Sequence, residues 1–344
     1  VGTDQTTISA DVLSEYGPQL VSLIADVVQR PQLPAAELER LKNNRIRNLS
    51  ISRSQPGSLA AERFSKVLYG EHPYGRYFPS DEMMKGYTIN DVQKFYKENF
   101  GAARTRIYVA GRFDTAAMRR AITQAFGSWE RGAGVYENIP KPVSARKIYL
   151  IDRPGAPQST LYLGLPIIDP SQKDYVAMIV TNALLGGSFA SRITSNIREQ
   201  KGYTYSPNSS ISTHYRDAYW VQVADVTTAV TGPSLKEIFS EIERLQKEPP
   251  PEAELQGIKN YLAGVFTIQN SSRQGIISQL AFLDLHKLPE TYLTNYVQNV
   301  LAVKPQEVQR IAREYLRSER MAIVVVGDKS QVTNQLTEYG EVIN

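Results

Sequence analysis

The feature that most constrains the fold of this chain is an internal repeat with a period of 215 to 217 residues. A Gly-Pro pair opens an amphipathic segment at Gly17 and again at Gly232. Two further stretches match at offsets of 217 and 216. Three separate matches whose offsets agree within two residues are not a chance similarity. The matching pairs are Pro34/Pro251, Ala36/Ala253, Glu37/Glu254, Leu38/Leu255, Lys42/Lys259, Asn43/Asn260, Val92/Val308, Gln93/Gln309, Glu98/Glu314, Arg104/Arg320, Ile107/Ile323, Val109/Val325 and Gly111/Gly327.

A period this long is not that of a solenoid and indicates a duplicated domain. In the second copy two predicted strands are followed by two helices and two further strands, so the predicted fold class is α+β with two duplicated domains. Residues 131–145 lack a clear period and form a predicted linker between domains at 1–130 and 146–344. Since the second copy begins near Arg146, the first should begin about 70 residues before Val1. We therefore expect a first domain that lacks its first two strands and first two helices.

Periodicity and capping residues predict the elements of each copy. Helices are expected to start at Gly17, Pro34, residue 58, Thr88, Thr115, residue 172, Phe189 and Gly232. Strands are expected at 3–10, 104–111, 147–152, 159–165, 203–213 and 217–227.

Composition excludes several classes of function. The 344 residues carry 39 basic and 35 acidic side chains, interspersed, and no basic run interleaved with aromatic residues suggests nucleic-acid binding. No uninterrupted apolar run reaches the roughly 18 residues of a membrane span. The chain has no cysteine, which excludes thiol catalysis, disulfides and cysteine-bound metals.

The stretch from Leu184 to Ser206 carries the strongest functional signal. It reads as the end of an apolar helix, a glycine pair, a second helix to about Gln200 and a stop at Gly202. Arg198 lies in the last helical turn, and Tyr205 follows seven residues later at the predicted start of a strand. A guanidinium and a phenol delivered from both sides of one turn could meet at a carbonyl oxygen. The alternative is that Arg198 caps helix carbonyls and Tyr205 packs in a sheet.

These motifs resemble the pitrilysin and mitochondrial-processing-peptidase family. Gly-Gly-Ser-Phe-x-Ser-Arg-Ile, from Gly186, and Ile-Arg-Glu-x-x-Gly-x-x-Tyr-Ser, from Ile197, look like its second domain, and Gly70-x-His-Pro-Tyr-Gly like part of its first. The resemblance implies a clamshell of two similar domains, each a mainly antiparallel sheet with helices packed on one face. It also implies that Arg198 and Tyr205 bind substrate, beside Gly186, Gly187, Ser188 and Phe189.

The resemblance implies a zinc site that this chain does not match. Active members carry an inverted H-x-x-E-H motif on a first-domain helix, and no such motif occurs here. The histidines, His72, His214 and His286, are far apart in sequence. The family's third ligand, a glutamate, falls at about Asn48, and no acidic residue occurs between Glu39 and Glu62. Neighbouring arginines would repel the ion, so no metal ligand is predicted in this chain.

The leading hypothesis is a non-catalytic subunit, or half of a longer chain, that binds extended peptide and completes the active site of an H-x-x-E-H partner. Zinc would then be bound by that partner, in a homodimer or heterodimer. Two alternatives stay open: a purely structural homologue, and an intact zinc endopeptidase whose metal motif lies upstream. Family analogy favours a bacterial periplasmic or secreted hydrolase.

Overall fold

The computed structural model describes residues 1–343. In that range the helices are α1 Gly17–Gln29, α2 Ala35–Ser54, α3 Pro56–Tyr69, α4 Asp81–Gly86, α5 Ile89–Asn99, α6 Thr115–Phe126, α7 Tyr175–Asn182, α8 Thr231–Lys247, α9 Glu252–Gln269, α10 Arg273–His286, α11 Thr291–Thr294, α12 Tyr296–Ala302, α13 Pro305–Tyr315 and α14 Lys329–Leu336. The strands are β1 Lys147–Asp152, β2 Gln158–Ile167, β3 Asn208–His214, β4 Asp217–Thr227, β5 Ala322–Gly327 and β6 Glu341–Ile343.

The chain divides into two compact units. One, the helical unit, consists of residues 1–50, 79–138 and 272–281. The other, the sheet unit, consists of residues 51–78, 139–271 and the described residues from 282 onward. Residues 51–78 precede the predicted linker but pack with the sheet. The two compact units therefore differ from the two sequence copies. The predicted domains at 1–130 and 146–344 describe those copies and stay a prediction.

The sheet unit is built on one sheet with the strand order β3-β4-β2-β5-β1-β6. The pairs β3–β4, β4–β2 and β2–β5 are antiparallel, whereas β1 pairs in parallel with β5 and β6. One face buries leucine, isoleucine and valine side chains against α7, α8 and α13. The other face is covered by α3, whose Phe64 and Leu68 pack on Val324 and Val326. This mostly antiparallel, mixed architecture confirms the predicted α+β class. The expectation of helices on one face alone was wrong, because α3 covers the other face.

In the helical unit α1 packs against α6. Tyr96 Oη donates to Val28 O at 2.7 Å, and Gln29 Nε2 donates to Ala125 O at 2.8 Å. The strands predicted at 3–10 and 104–111 were wrong, because neither segment is a strand in the structure. The second-copy counterpart of 104–111 is β5, which lies between β2 and β1. Within the described residues, no strand pairs with residues 104–111.

The two copies of the Gly-Pro helix show the effect of a sheet on burial. Leu23 and Val27 of α1 are 60% and 52% exposed, whereas their counterparts Ile238 and Ile242 of α8 are fully buried. The apolar pattern is the same in both helices. Burial therefore follows from what packs on each helix, not from its own sequence.

The helical stretch from Tyr175 to Gln200 is long and apolar enough to cross a membrane by length and composition. Most of its apolar window is buried inside the protein. Buried core helices meet the same criteria, so this stretch is weak evidence for a membrane span.

The start of α7 is anchored by Asp174. Its carboxylate accepts hydrogen bonds from Arg310 Nη1 and Nη2, at 2.8 and 2.9 Å, and from Tyr315 Oη at 3.0 Å. The hydrogen bond from Arg310, aided by that from Tyr315, lowers the pKa of Asp174 below its ordinary value of 3.8.

This lowered pKa predicts a pH dependence of stability. A carboxyl group whose pKa is lower in the folded state stabilises the fold above its unfolded pKa, and loses that contribution as pH falls through its folded pKa. The difference in unfolding midpoint between the native chain and Asp174→Asn should be largest at neutral pH. It should become smaller as the pH falls below about 3.8. Urea denaturation across pH measures it. Glu243→Gln, in an exposed pair with Lys247, should show no such difference; a constant gap for Asp174→Asn would contradict the assignment.

Candidate functional site

The candidate site begins where α7 changes into a π-helix. Residues Ala183–Gly187 and Thr194–Gln200 are both π-helical, with Ser188 to Ser191 forming the turn between them. The sequence predicted two α-helices separated by glycines, with the second starting at Phe189; instead it starts at Arg192 and is mostly π-helical. Such i→i+5 segments are rare and frequently lie at functional sites.

A buried polar network holds the glycine turn from beneath. Asn182 Oδ1 accepts hydrogen bonds from Ser209 Oγ and from Trp220 Nε1, both at 2.8 Å. A Cβ atom on Gly187 would lie 2.4 Å from Asn182 Nδ2, so a larger residue there would displace the Asn182 amide. Sequence reasoning missed Asn182 and Trp220. The available signal was an asparagine within the apolar run Ile-Val-Thr-Asn-Ala-Leu-Leu.

The predicted peptide contacts in this turn differ in their exposure. Gly186 and Ser188 are buried, and Gly187 is partly buried. Phe189, in contrast, is 70% exposed. The glycines and Ser188 therefore shape the turn, whereas Phe189 is the residue of the four that presents its side chain to solvent.

Arg198 is brought together with both predicted aromatic neighbours. Its Cζ lies 4.6 Å from the centroid of the Phe189 ring and 5.0 Å from that of the Tyr205 ring. Its Nε lies 3.3 Å from a carboxylate oxygen of the adjacent Glu199. The Arg198 side chain is 25% exposed. The guanidinium is thus held by cation–π contacts. These contacts differ from the alternative in which Arg198 caps helix carbonyls.

Tyr205 projects from the sheet and does not lie within a strand. Gly202 adopts φ +65°, which turns the chain out of the helix. Thr204 then pairs with Val226 in an isolated bridge, and β3 starts only at Asn208. Tyr205 lies between these points and is 80% exposed. The prediction that residue 203 begins a strand was therefore wrong, and the irregular backbone leaves the phenol accessible.

A partly buried ion pair fixes the turn against α9. Arg192 Nε and Nη2 each donate to Glu254 at 2.7 Å in a bidentate arrangement. The hydrogen bond to Glu254 raises the pKa of Arg192 above its ordinary value. This pair was also missed from the sequence, because residues 62 positions apart carry no local sign of their contact.

The sheet edge beside this site is open in the part of the chain that the structure describes. β3 is the outermost strand, pairing with β4 on one side alone. Its residues, Asn208 to His214, include no lysine, arginine or acidic side chain. Natural proteins usually protect such an edge with charges or proline. An uncharged edge strand is a template for an extended peptide.

The Gly70-x-His-Pro-Tyr-Gly loop packs on the hairpin between β3 and β4. Tyr74 stacks on His214 with centroids 4.2 Å apart, and its ring lies 4.6 Å from that of His72. Tyr69 Oη donates to Asp217 at 2.5 Å, and burial raises the pKa of that carboxyl. Two histidines that are far apart in sequence are therefore close in space, in an aromatic cluster.

The residues present do not fit a zinc ion. Among residues 1–343, no group of three or more His, Asp or Glu side chains could hold a metal. On α2, Arg45, Arg47 and Asn48 are all exposed. Two guanidinium groups beside a neutral amide disfavour a divalent cation.

Comparison with known proteins identifies the family. The family model described as "Peptidase M16 inactive domain" matches residues 86–262. An "Uncharacterized zinc protease YmxG" of Bacillus subtilis is 24% identical over 94% of this chain and 78% of its own length. A "Non-peptidase homolog YmxG" of Helicobacter pylori is 20% identical over 96% of this chain and 75% of its own. The crystal structure of a protease from Helicobacter pylori superposes with a TM-score of 0.84 at 19% identity, covering 92% of this chain and 78% of that one.

The family match spans more than half of the chain, and the structural likeness covers nearly all of it. The glycine turn, Arg198 and Tyr205 lie within the matched residues. The chain therefore belongs to the family described as the peptidase M16 inactive domain.

Proposed function

We propose that this chain is a non-catalytic, peptide-binding member of its family that completes the active site of an H-x-x-E-H partner. The observation that carries the proposal is the display of Arg198 between the exposed rings of Phe189 and Tyr205. The metal and its chemistry are assigned to the partner, since the residues of this chain do not fit a zinc ion.

The arrangement suits a developing negative charge on a peptide carbonyl. A guanidinium has five N–H donors in its plane, and cation–π contacts with two rings do not use those donors for hydrogen bonds. The Tyr205 hydroxyl is a further donor beside it. Donors fixed before the reaction stabilise an oxyanion without having to reorganise. Arg198 and Tyr205 would therefore hold the substrate carbonyl and then the tetrahedral oxygen.

The open edge of β3 supports an extended substrate. Main-chain hydrogen bonds to an edge strand give affinity that depends little on sequence. The side chains of β3 are short and polar in its first half, so they offer few pockets for selection. We infer that the preferred ligand is an unfolded peptide without a strict sequence motif.

The experiment compares the full-length protein alone and mixed with an H-x-x-E-H homologue. A fluorescently labelled unstructured peptide should bind to the protein alone, as measured by anisotropy, and should be hydrolysed only in the mixture. Stoichiometric zinc together with hydrolysis by the protein alone would establish the intact protease instead. Absence of peptide binding in both samples would favour the structural homologue.

A further inference from the structure

Arg198 lies near the end of the π-helical segment Thr194–Gln200. The amide of Lys201 donates to Asn196 O at 3.0 Å, which closes a wide i→i+5 turn around Arg198. Since π-helical turns are rare in proteins, this one requires support from outside the segment. The direction of the Arg198 side chain depends on that support.

The side chain of Asn196 ties the segment to α8. Its Nδ2 donates to Glu237 Oε2 at 3.0 Å and to Glu241 Oε1 at 2.9 Å. A second tie, between Lys201 Nζ and Glu237 Oε1 at 3.5 Å, lies on the other side of Arg198. α8 is itself fixed in the core through fully buried residues such as Ile238. The π turn is thus held at both ends by one rigid helix.

The chemistry of an amide fits this position. Asn196 is only 8% exposed, and both of its acceptors are carboxylates, so it must supply two N–H donors. Its buried Oδ1 receives no hydrogen bond from the described residues. The side chain therefore acts through its donors. An aspartate there would place a third carboxylate against two others, and an apolar residue would leave both acceptors without a donor.

We propose that Asn196 is a positioning residue that fixes the π turn through Glu237 and Glu241 and so aims Arg198 between Phe189 and Tyr205. This inference deepens the proposed function and rests on it for its effect on peptide binding. The geometry of the stack, however, can be measured without a ligand.

The first test is spectroscopic. The Nε–H signal of Arg198, identified by its loss in Arg198→Ala, should show ring-current shifts from its two aromatic neighbours. Asn196→Ala should move this signal toward that of an unstacked arginine. Arg244→Ala is the matched control, because Arg244 contacts the same Glu241 at 3.4 Å but is 56% exposed and lies outside the π segment. An unmoved signal in folded Asn196→Ala would overturn the inference.

The second test is a double-mutant cycle on peptide affinity. Asn196→Ala should weaken binding about tenfold, the scale of one lost charge-assisted hydrogen bond, and should add no loss to Arg198→Ala. Equal losses in both backgrounds would show that Asn196 does not act through Arg198. Asn196→Asp should weaken binding further, and adding Glu241→Gln should restore part of it by reversing one hydrogen bond. If Arg198→Ala changes neither peptide affinity nor turnover by the mixture with an H-x-x-E-H partner, the proposed function fails, and the spectroscopic test still decides the positioning role.

Discussion

Replacing Arg198 with alanine is expected to lower peptide turnover by the mixture with an H-x-x-E-H partner about 100-fold, or about 3 kcal/mol of transition-state stabilisation. The fold should be unaffected, because the guanidinium is supported by two exposed rings and does not contribute to the core. Tyr205→Phe should lower turnover as well. It keeps the ring that stacks on Arg198 and removes only the hydroxyl donor, so it separates the two contributions.

Arg244→Ala serves as the control here too, since it removes an exposed arginine of the same unit. Turnover at saturating peptide and the ratio kcat/KM should both be measured. A fall in kcat with an unchanged KM would indicate donors that act mainly in the transition state. Unchanged turnover for both Arg198→Ala and Tyr205→Phe would show that the two residues have no role in peptide hydrolysis.

The largest expected effect on stability comes from Gly164→Ala in β2. A Cβ atom there would lie 2.3 Å from Trp220 O and 2.6 Å from Phe64 Cζ. The carbonyl belongs to the neighbouring strand β4, and the ring belongs to α3, which covers this face of the sheet. Neither neighbour can yield without shifting backbone or core. We expect a loss of about 3 kcal/mol in the free energy of unfolding, the upper end of the usual range for overpacking.

Gly257→Ala provides the matched comparison. A Cβ atom on Gly257 would meet nothing within 4 Å, and the residue lies within α9. Because alanine favours helices over glycine, this variant should be up to about 1 kcal/mol more stable. Urea denaturation of both variants measures the difference. Equal urea midpoints for Gly164→Ala and Gly257→Ala would contradict the close approach of Trp220 O and the Phe64 ring to Gly164.

Elements defined by local signals could be predicted from the sequence. β4 was predicted at its observed bounds, and the expected cap at Thr88 is a capping box in the structure. The glycine pair and the spacing from Arg198 to Tyr205 indicated the candidate site because turn and helix-stop signals are short-range. Runs of predicted strands followed by runs of helices indicated the α+β class.

Features that depend on distant partners could not be predicted. A segment becomes a strand only when another strand pairs with it, so the apolar pattern of 104–111 was insufficient. The π-helical turns have no local signature, since the ties of Asn196 to α8 cross more than 40 positions of sequence. The support of the site by Asn182, Trp220 and Glu254 is likewise non-local.

The packing of α3 has a consequence for how far the two sequence copies can fold independently. This helix belongs to the first sequence copy, yet its Phe64 and Leu68 complete a core made by strands of the second. Deleting the first copy would uncover that face of the sheet, including Val324 and Val326, to water. We therefore expect the second copy to be less stable when it is produced without α3.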